Sequence, residues 1–231
     1  MVKELAWRVS RLRQMNVSSS IYKIYLIDTK PVSLGQSDEL GHYAWTGGKI
    51  YRDWSLINPT NEPSQLIIYR PMPNLITPES FTQFFNRLLS FQFRSKDGRV
   101  AALPFTVIID EFIDIISDTR QRVHYIAPFS KILVEGRSAA QTMWILTQYP
   151  SYIDPGIKRN VTARFCFRLP DKNDRITMAG VLGSKDVEKA LPFQHGFWYQ
   201  NENIGPTLDH PILYDGDPNR RQNLGARLAL A

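Results

Sequence analysis

The sequence predicts an α/β protein with a mostly parallel central sheet flanked by helices on both faces. Three observations predict it. Short apolar runs alternate with stretches of helical spacing, as in β-α-β units. One run, Thr106-Val107-Ile108-Ile109, is continuously β-branched, as a strand buried on both faces reads. It stops abruptly in Asp110-Glu111, and the carboxyl end of such a strand is where open α/β sheets bind ligands.

Residues 2–15 carry Val2, Leu5, Ala6, Val9 and Leu12 at helical spacing, with no N-cap before them. A polar break at 16–20 precedes a strand over 22–27 that closes in Asp28-Thr29-Lys30-Pro31. Residues 32–61 are weakly patterned, with a short strand expected at 49–51. A strand over 65–69 is stopped by Arg70-Pro71. Thr77-Pro78 opens a helix to about Phe91, because Thr caps and Pro suits the first helical position. A polar turn is expected over 94–99, then the strand ending at Asp110. Helices are expected over 112–116 and 128–138, separated by a basic segment at 118–124. A strand over 142–146 ends in Thr147-Gln148, and a short helix or turn covers 155–159. A strand at 163–168, helices at 171–180 and 184–190, and a strand at 195–199 complete the pattern. The expected organisation is one core over 1–214 and a polar tail over 215–231.

At 43% hydrophobic and 12% aromatic residues, the 231-residue chain can bury a sizeable core and is not a disordered composition. Its formal charge of +6 suits a polyanionic partner, although many basic proteins bind none. Cys166 is the single cysteine, which excludes an intrachain disulfide and a cysteine-based zinc cluster. His42, His124, His195 and His210 lack metal-ligand spacing. No apolar run approaches the roughly 18 residues of a bilayer span, and Met1-Val2-Lys3-Glu4 has no signal-peptide shape, so a cytoplasmic location is expected.

Two adjacent carboxylates at a strand end form the Walker B arrangement of ATPases. There the Asp holds Mg²⁺ through its shell and the Glu polarises the attacking water. Asp28 and Lys30 close one strand, Asp110-Glu111 a second, and Thr147-Gln148 a third. Bland alternatives stand beside these roles. Asp110-Glu111 can cap a helix, Asp28 and Lys30 can form a turn, and Gln148 can be a polar strand end. Arg137 can be a solvated helix residue, and Arg164 can pack its stem at a sheet edge. Phe81, Phe84, Phe85 and Phe91 at helical spacing read as core, and Cys166 as inert packing. Arg120, Arg122 and His124 read as a solvated loop or as a surface facing DNA.

The order of these pieces resembles the FtsK/HerA branch of P-loop motor ATPases over roughly residues 1–199. Leu26-Ile27-Asp28-Thr29-Lys30-Pro31 looks like the family's strand ending in Ile-Asp-Pro-Lys. Val107-Ile108-Ile109-Asp110-Glu111-Phe112 looks like its Walker B strand. Gly136-Arg137-Ser138-Ala139-Ala140-Gln141, leading into Ile145-Leu146-Thr147-Gln148-Tyr149-Pro150, is similar to its Arg-Ala-Ala-Gly turn and Ala-Thr-Gln-Arg-Pro strand end. Ile157 to Phe165 resembles its Ile-Lys-Ala-Asn-Ile-Pro-Thr-Arg-Ile, and the segments around Asp174-Arg175-Ile176 and Gly196-Phe197-Trp198-Tyr199 resemble its closing parts.

The resemblance implies a RecA-like core, ATP and Mg²⁺ as cofactors, and a ring, as a hexamer, that moves or packages double-stranded DNA. It implies Asp110 as the Mg²⁺ residue through water, Glu111 as catalytic base and Gln148 as γ-phosphate sensor. It makes Arg137 and Arg164 candidates for a finger reaching a neighbouring subunit, and Asp28, Lys30 and Thr147 candidates on the nucleotide side. The minimal build favours a viral or mobile-element packaging ATPase, in a bacterial or archaeal host cell or associated with a virion. The departure is the phosphate loop: no Gly-x-x-x-x-Gly-Lys-Ser/Thr occurs. Trp45-Thr46-Gly47-Gly48-Lys49-Ile50 has the Gly-Lys pair but Ile50 where the hydroxyl belongs. The chain therefore reads as an ATPase core truncated at its N-terminus. The competing expectation is a non-hydrolysing fragment that serves as an assembly or DNA-binding module.

Overall fold

The computed structural model describes residues 22–29, 48–94, 98–112, 115, 122–188, 197–201 and 203–209. The expected helix over 2–15, Lys30, the segment 118–121 and the tail 215–231 lie outside the described residues, as does most of the expected helix over 112–116. The chain divides into two compact units, Met1–Val161 and Thr162–Ala231.

The first unit is built on five parallel strands: β1 (Lys23–Asp28), β2 (Lys49–Tyr51), β3 (Leu66–Tyr69), β6 (Phe105–Asp110) and β7 (Gln141–Ile145). Their order across the sheet is β2-β3-β1-β6-β7. β1 and β6 pair in register over their full length, Lys23 opposite Phe105 through Asp28 opposite Asp110. Side chains alternate across the sheet with period two. Tyr25, Ile27, Ile67, Tyr69, Phe105, Val107 and Ile109 enter one core, and Ile24, Leu26, Leu66, Ile68 and Ile108 the other. Both sets are buried, which is why these strands read as continuous apolar runs.

Helix α1 (Pro78–Ser90) starts where the sequence places it. The Thr77 hydroxyl accepts from the Ser80 N–H at 3.2 Å, Pro78 takes the first position, and Glu79 meets the positive helix end. Phe81, Phe84, Phe85 and Leu88 lie on one helix face and are buried against the sheet. The Phe84 ring packs 4.9 Å from Tyr69 and 6.3 Å from Tyr25, centre to centre. Helix α2 (Arg122–Glu135) begins six residues before the expected start and runs through Pro128. A proline costs a helix one hydrogen bond and crowds the preceding turn. Phe129 and Ile132 are buried in the core just beyond it and hold the helix to the sheet. The helix ends at Glu135, and a single 3₁₀ turn, Gly136–Ala139, leads into β7. Two short strands that the sequence did not show flank the expected turn: β4 (Gln92–Arg94) pairs antiparallel with β5 (Val100–Ala102). Short helix α3 (Pro155–Asn160) buries Ile157 in the same core as α1 and α2.

Lys23, at the amino end of β1, is buried. Its ammonium donates to the carbonyls of Glu62 and Ser64, the latter at 3.1 Å, and ties the loop before β3 to the sheet. Burial lowers the Lys23 pKa, and the nearby Glu62 charge opposes that shift.

The second unit departs from the expected alternation. β8 (Ala163–Cys166), β9 (Phe197–Asn201) and β10 (Thr207–Asp209) form a separate antiparallel sheet with β9 at its centre. β10 was not foreseen, because Thr207-Leu208-Asp209 is too short to show a period. Helix α4 (Lys172–Leu182) is capped by Asp171, which accepts from the Asn173 and Asp174 N–H groups, and ends at Gly183 with φ +69°. Only glycine adopts that left-handed stop without strain. Of the helix expected over 184–190, a 3₁₀ turn at Lys185–Glu188 is described. Cys166, Ala179, Leu182 and Val187 form this unit's core. Among the described residues no helix is long and apolar enough to cross a membrane.

Truncating Phe84 to Ala should cost about 3–5 kcal/mol, because a ring enclosed by Tyr25, Tyr69 and Phe85 leaves a cavity that β-strands cannot close. Leu56→Ala, at an exposed position, should stay within about 0.5 kcal/mol. Urea unfolding of both variants checks the contrast, and equal losses would contradict this core.

Candidate functional site

Because β1, β6 and β7 run parallel, their carboxyl ends reach one edge of the sheet. The register sets Asp28 beside Asp110, and Thr147-Gln148 follows directly beyond β7. Five of the sequence-predicted site residues, Asp28, Asp110, Glu111, Thr147 and Gln148, are thus brought to that edge.

Asp28 is only 5% exposed, and the Arg70 guanidinium lies 3.7 Å from its Oδ2. Arg70 directly follows β3, so it belongs to the same edge, and its N–H donates to the Tyr51 carbonyl at 2.8 Å. Burying both charges is tolerable because they are paired. Arg70 is a residue the sequence reading passed over. The signal was its position, a cation directly after an apolar strand and before Pro71.

Glu111 has φ +69°, a conformation unusual for any residue but glycine. Such backbone strain costs roughly 1–3 kcal/mol and persists only where its surroundings enforce it. The enforcing contacts are present. The Leu146 N–H donates to the Ile109 carbonyl at 3.1 Å, and the Phe112 N–H to the Leu146 carbonyl at 2.8 Å, so the ladder to β7 continues on both sides of Glu111. The Glu111 carboxylate accepts from the Thr147 hydroxyl at 3.1 Å and from the Gln148 N–H at 3.3 and 3.4 Å to its two oxygens. Thr147 Oγ1 in turn accepts from the Tyr149 N–H at 3.1 Å. Asp110 is half-buried, and the Gln148 side chain is exposed. An acidic, oxygen-only strand end of this kind fits Mg²⁺, which prefers carboxylate and water ligands.

The turn bearing Arg137 precedes β7, so it sits at the amino edge of the sheet, opposite Glu111. Gly136 in that turn is dictated by packing, since a Cβ there would lie 2.7 Å from the Gln141 carbonyl oxygen. Arg164 is on β8 of the second unit, donates to Gln200 Oε1 at 3.2 Å, and has its pKa lowered by burial. Lys30 lies outside the described residues. The Gly48-Lys49 pair is at the amino end of β2, the wrong edge for a phosphate at the strand carboxyl ends. A Cβ at Gly48 would meet Ile68 Cδ1 at 2.7 Å, so this glycine serves strand packing. Among the described residues no group of three or more His, Cys, Asp or Glu is arranged to hold a metal by itself.

No family model matches the chain, and no curated protein matches it. Solved structures do. The chain has the fold of B204, the DNA-packaging ATPase of Sulfolobus turreted icosahedral virus, at TM-score 0.58 and 13% identity over 92% of this chain and 90% of that one. It is likewise similar to the genome-packaging NTPase B204 of Sulfolobus turreted icosahedral virus 2 in complex with sulfate, at TM-score 0.62 and 16% identity over 91% and 89%. That protein has also been solved with ATP-γ-S and AMPPCP. The pCW3 conjugation coupling protein TcpA aligns at TM-score 0.55 and 14% identity, over 96% of this chain and 61% of TcpA. The chain therefore shares the fold of these solved structures, in keeping with the expected α/β class built on a mostly parallel central sheet.

Arg70→Met should destabilise the protein by about 3–5 kcal/mol, because it removes the guanidinium 3.7 Å from the buried Asp28 carboxylate, and Arg70→Met with Asp28→Asn should recover part of that loss. Thermal or urea unfolding of the single and double variants measures it. A second expectation concerns Cys166, whose thiol burial pushes up to about 11. A raised pKa stabilises the fold below the unfolded thiol's pKa, and the contribution is lost as pH rises towards 11. Maleimide or disulfide reagents should therefore leave the native thiol unlabelled at pH 8 and label it on unfolding.

Proposed function

We propose that this chain is the core of a ring-forming motor that couples ATP hydrolysis to movement of double-stranded DNA, as in genome packaging. The observation that carries the reading is the Asp110-Glu111 strand end engaged by Thr147-Gln148 of the neighbouring strand, in a fold shared with packaging ATPases. In this reading Asp110 holds Mg²⁺ through water. Glu111 takes the proton of the attacking water, and Gln148, exposed at the same edge, contacts the γ-phosphate. Asp28, paired with Arg70, and Lys30 stay on the nucleotide side. When bound, ATP with Mg²⁺ supplies the phosphoryl group whose transfer drives the motor. Arg137, at the opposite edge from its own chain's Glu111, fits a finger that serves a neighbouring subunit, which favours a ring, as a hexamer. Arg164 is the other candidate for that finger. The formal charge of +6 suits DNA. The motor would work in the cytoplasm of a bacterial or archaeal host or in association with a virion.

The residues fit Mg²⁺ and a water nucleophile. They do not supply a phosphate cradle: the sequence has no Gly-x-x-x-x-Gly-Lys-Ser/Thr, and the Gly48-Lys49 pair lies at the other edge. That observation favours a second reading, a non-hydrolysing subunit that assembles with or binds DNA beside a competent partner.

Mg²⁺-dependent ATP hydrolysis, with and without double-stranded DNA, separates the two. It should be measured on this chain and on a form extended upstream wherever the gene encodes a Gly-Lys-Ser/Thr segment. The motor reading expects hydrolysis that DNA stimulates and that Glu111→Gln lowers by about 10²–10⁴-fold. If neither form hydrolyses or binds ATP, the binding-module reading replaces it.

A further inference from the structure

We infer that Thr147 is the positioning residue that aims Glu111, an assignment that rests on Glu111 being the base of the proposed hydrolysis. The hydroxyl of Thr147 has one proton to give. Its oxygen already accepts from the Tyr149 N–H at 3.1 Å, so the remaining favourable direction for that proton is the Glu111 Oε1 at 3.1 Å. An ionised carboxylate can only accept, which settles the sense of the bond. The Gln148 N–H adds a second donor that straddles both carboxylate oxygens. Meanwhile the Leu146 N–H and carbonyl hold the backbone before and after Glu111. One four-residue turn, 146–149, therefore fixes both the strained backbone of the base and the direction of its carboxylate.

The consequence is that the base is aimed by the strand end that also carries Gln148. A displacement of this turn moves the base and the sensor together, so γ-phosphate contact at Gln148 and the aim of Glu111 change as one event. Thr147 thus acts through Glu111 and not as a nucleotide ligand. Valine at this position keeps the shape and removes the proton, whereas serine keeps the proton.

Two measurements on the full chain test this. The first is a double-mutant cycle of Thr147→Val and Glu111→Ala by equilibrium unfolding. A charge-assisted hydrogen bond predicts that the combined effect on the unfolding constant falls short of the product of the single effects by about tenfold. An additive cycle overturns the inference. The second is Mg²⁺-dependent ATP hydrolysis by the parent, Thr147→Val and Thr147→Ser. Thr147→Val should lower kcat about tenfold or more with KM for ATP within about threefold, and Thr147→Ser should restore kcat to within about threefold. An unchanged kcat in Thr147→Val, or a loss expressed in KM alone, overturns it. Where this chain does not hydrolyse ATP, the same variants are read in the upstream-extended form; if that form too neither hydrolyses nor binds ATP, the motor reading is refuted instead, and the unfolding cycle then decides the Thr147–Glu111 bond by itself.

Discussion

The parallel, in-register pairing of β6 with β1 and β7 is the constraint on which the candidate site depends. Three strands that run the same way end at one edge, so polar residues far apart in sequence meet there without any loop having to carry them. Asp28 and Asp110 are 82 positions apart in the chain and adjacent in register. The pairing is held by burial on both sheet faces. A register slip of one residue would exchange Val107 and Ile109 with Ile108 between the two cores, and would move Asp110 out of line.

The site joins three kinds of cost to one purpose. A buried ion pair between Asp28 and Arg70 holds the ends of β1 and β3 together. A non-glycine residue is kept in the left-handed region at Glu111. A hydroxyl is oriented by a backbone N–H two residues on. None of these improves packing, and each draws on the rigidity of the aromatic core beneath, where Phe84 and Phe105 meet Tyr25 edge to face and Tyr69 packs at a tilt on Phe84. A rigid sheet beneath a locally strained, polar edge keeps these groups fixed in place.

The same geometry separates Arg137 from Glu111. Arg137 sits at the amino end of β7 and Glu111 beyond the carboxyl end of β6, so the sheet itself stands between them within one chain. The Gly48-Lys49 pair is excluded from the phosphate side for the same reason, since it opens β2 instead of closing a strand. Both conclusions follow from strand direction alone.

The sequence by itself determined the five strands of the parallel sheet, the α1 start at Thr77-Pro78 and the acidic end at Asp110-Glu111. A continuous β-branched run and a capping pair act locally and leave a local trace. It also showed the absence of a phosphate loop, which is a matter of residue identity. The passage of α2 through Pro128 was decided by tertiary structure, because the burial of Phe129 and Ile132 outweighs the local preference of proline. So was the antiparallel sheet of β8, β9 and β10, since short strands carry no sign of their partners or direction. Arg70 beside Asp28, the left-handed Glu111 and the Thr147 hydroxyl aimed at its carboxylate were decided there as well. These depend on distances between residues 36 or more positions apart in the chain, which neighbouring residues do not encode.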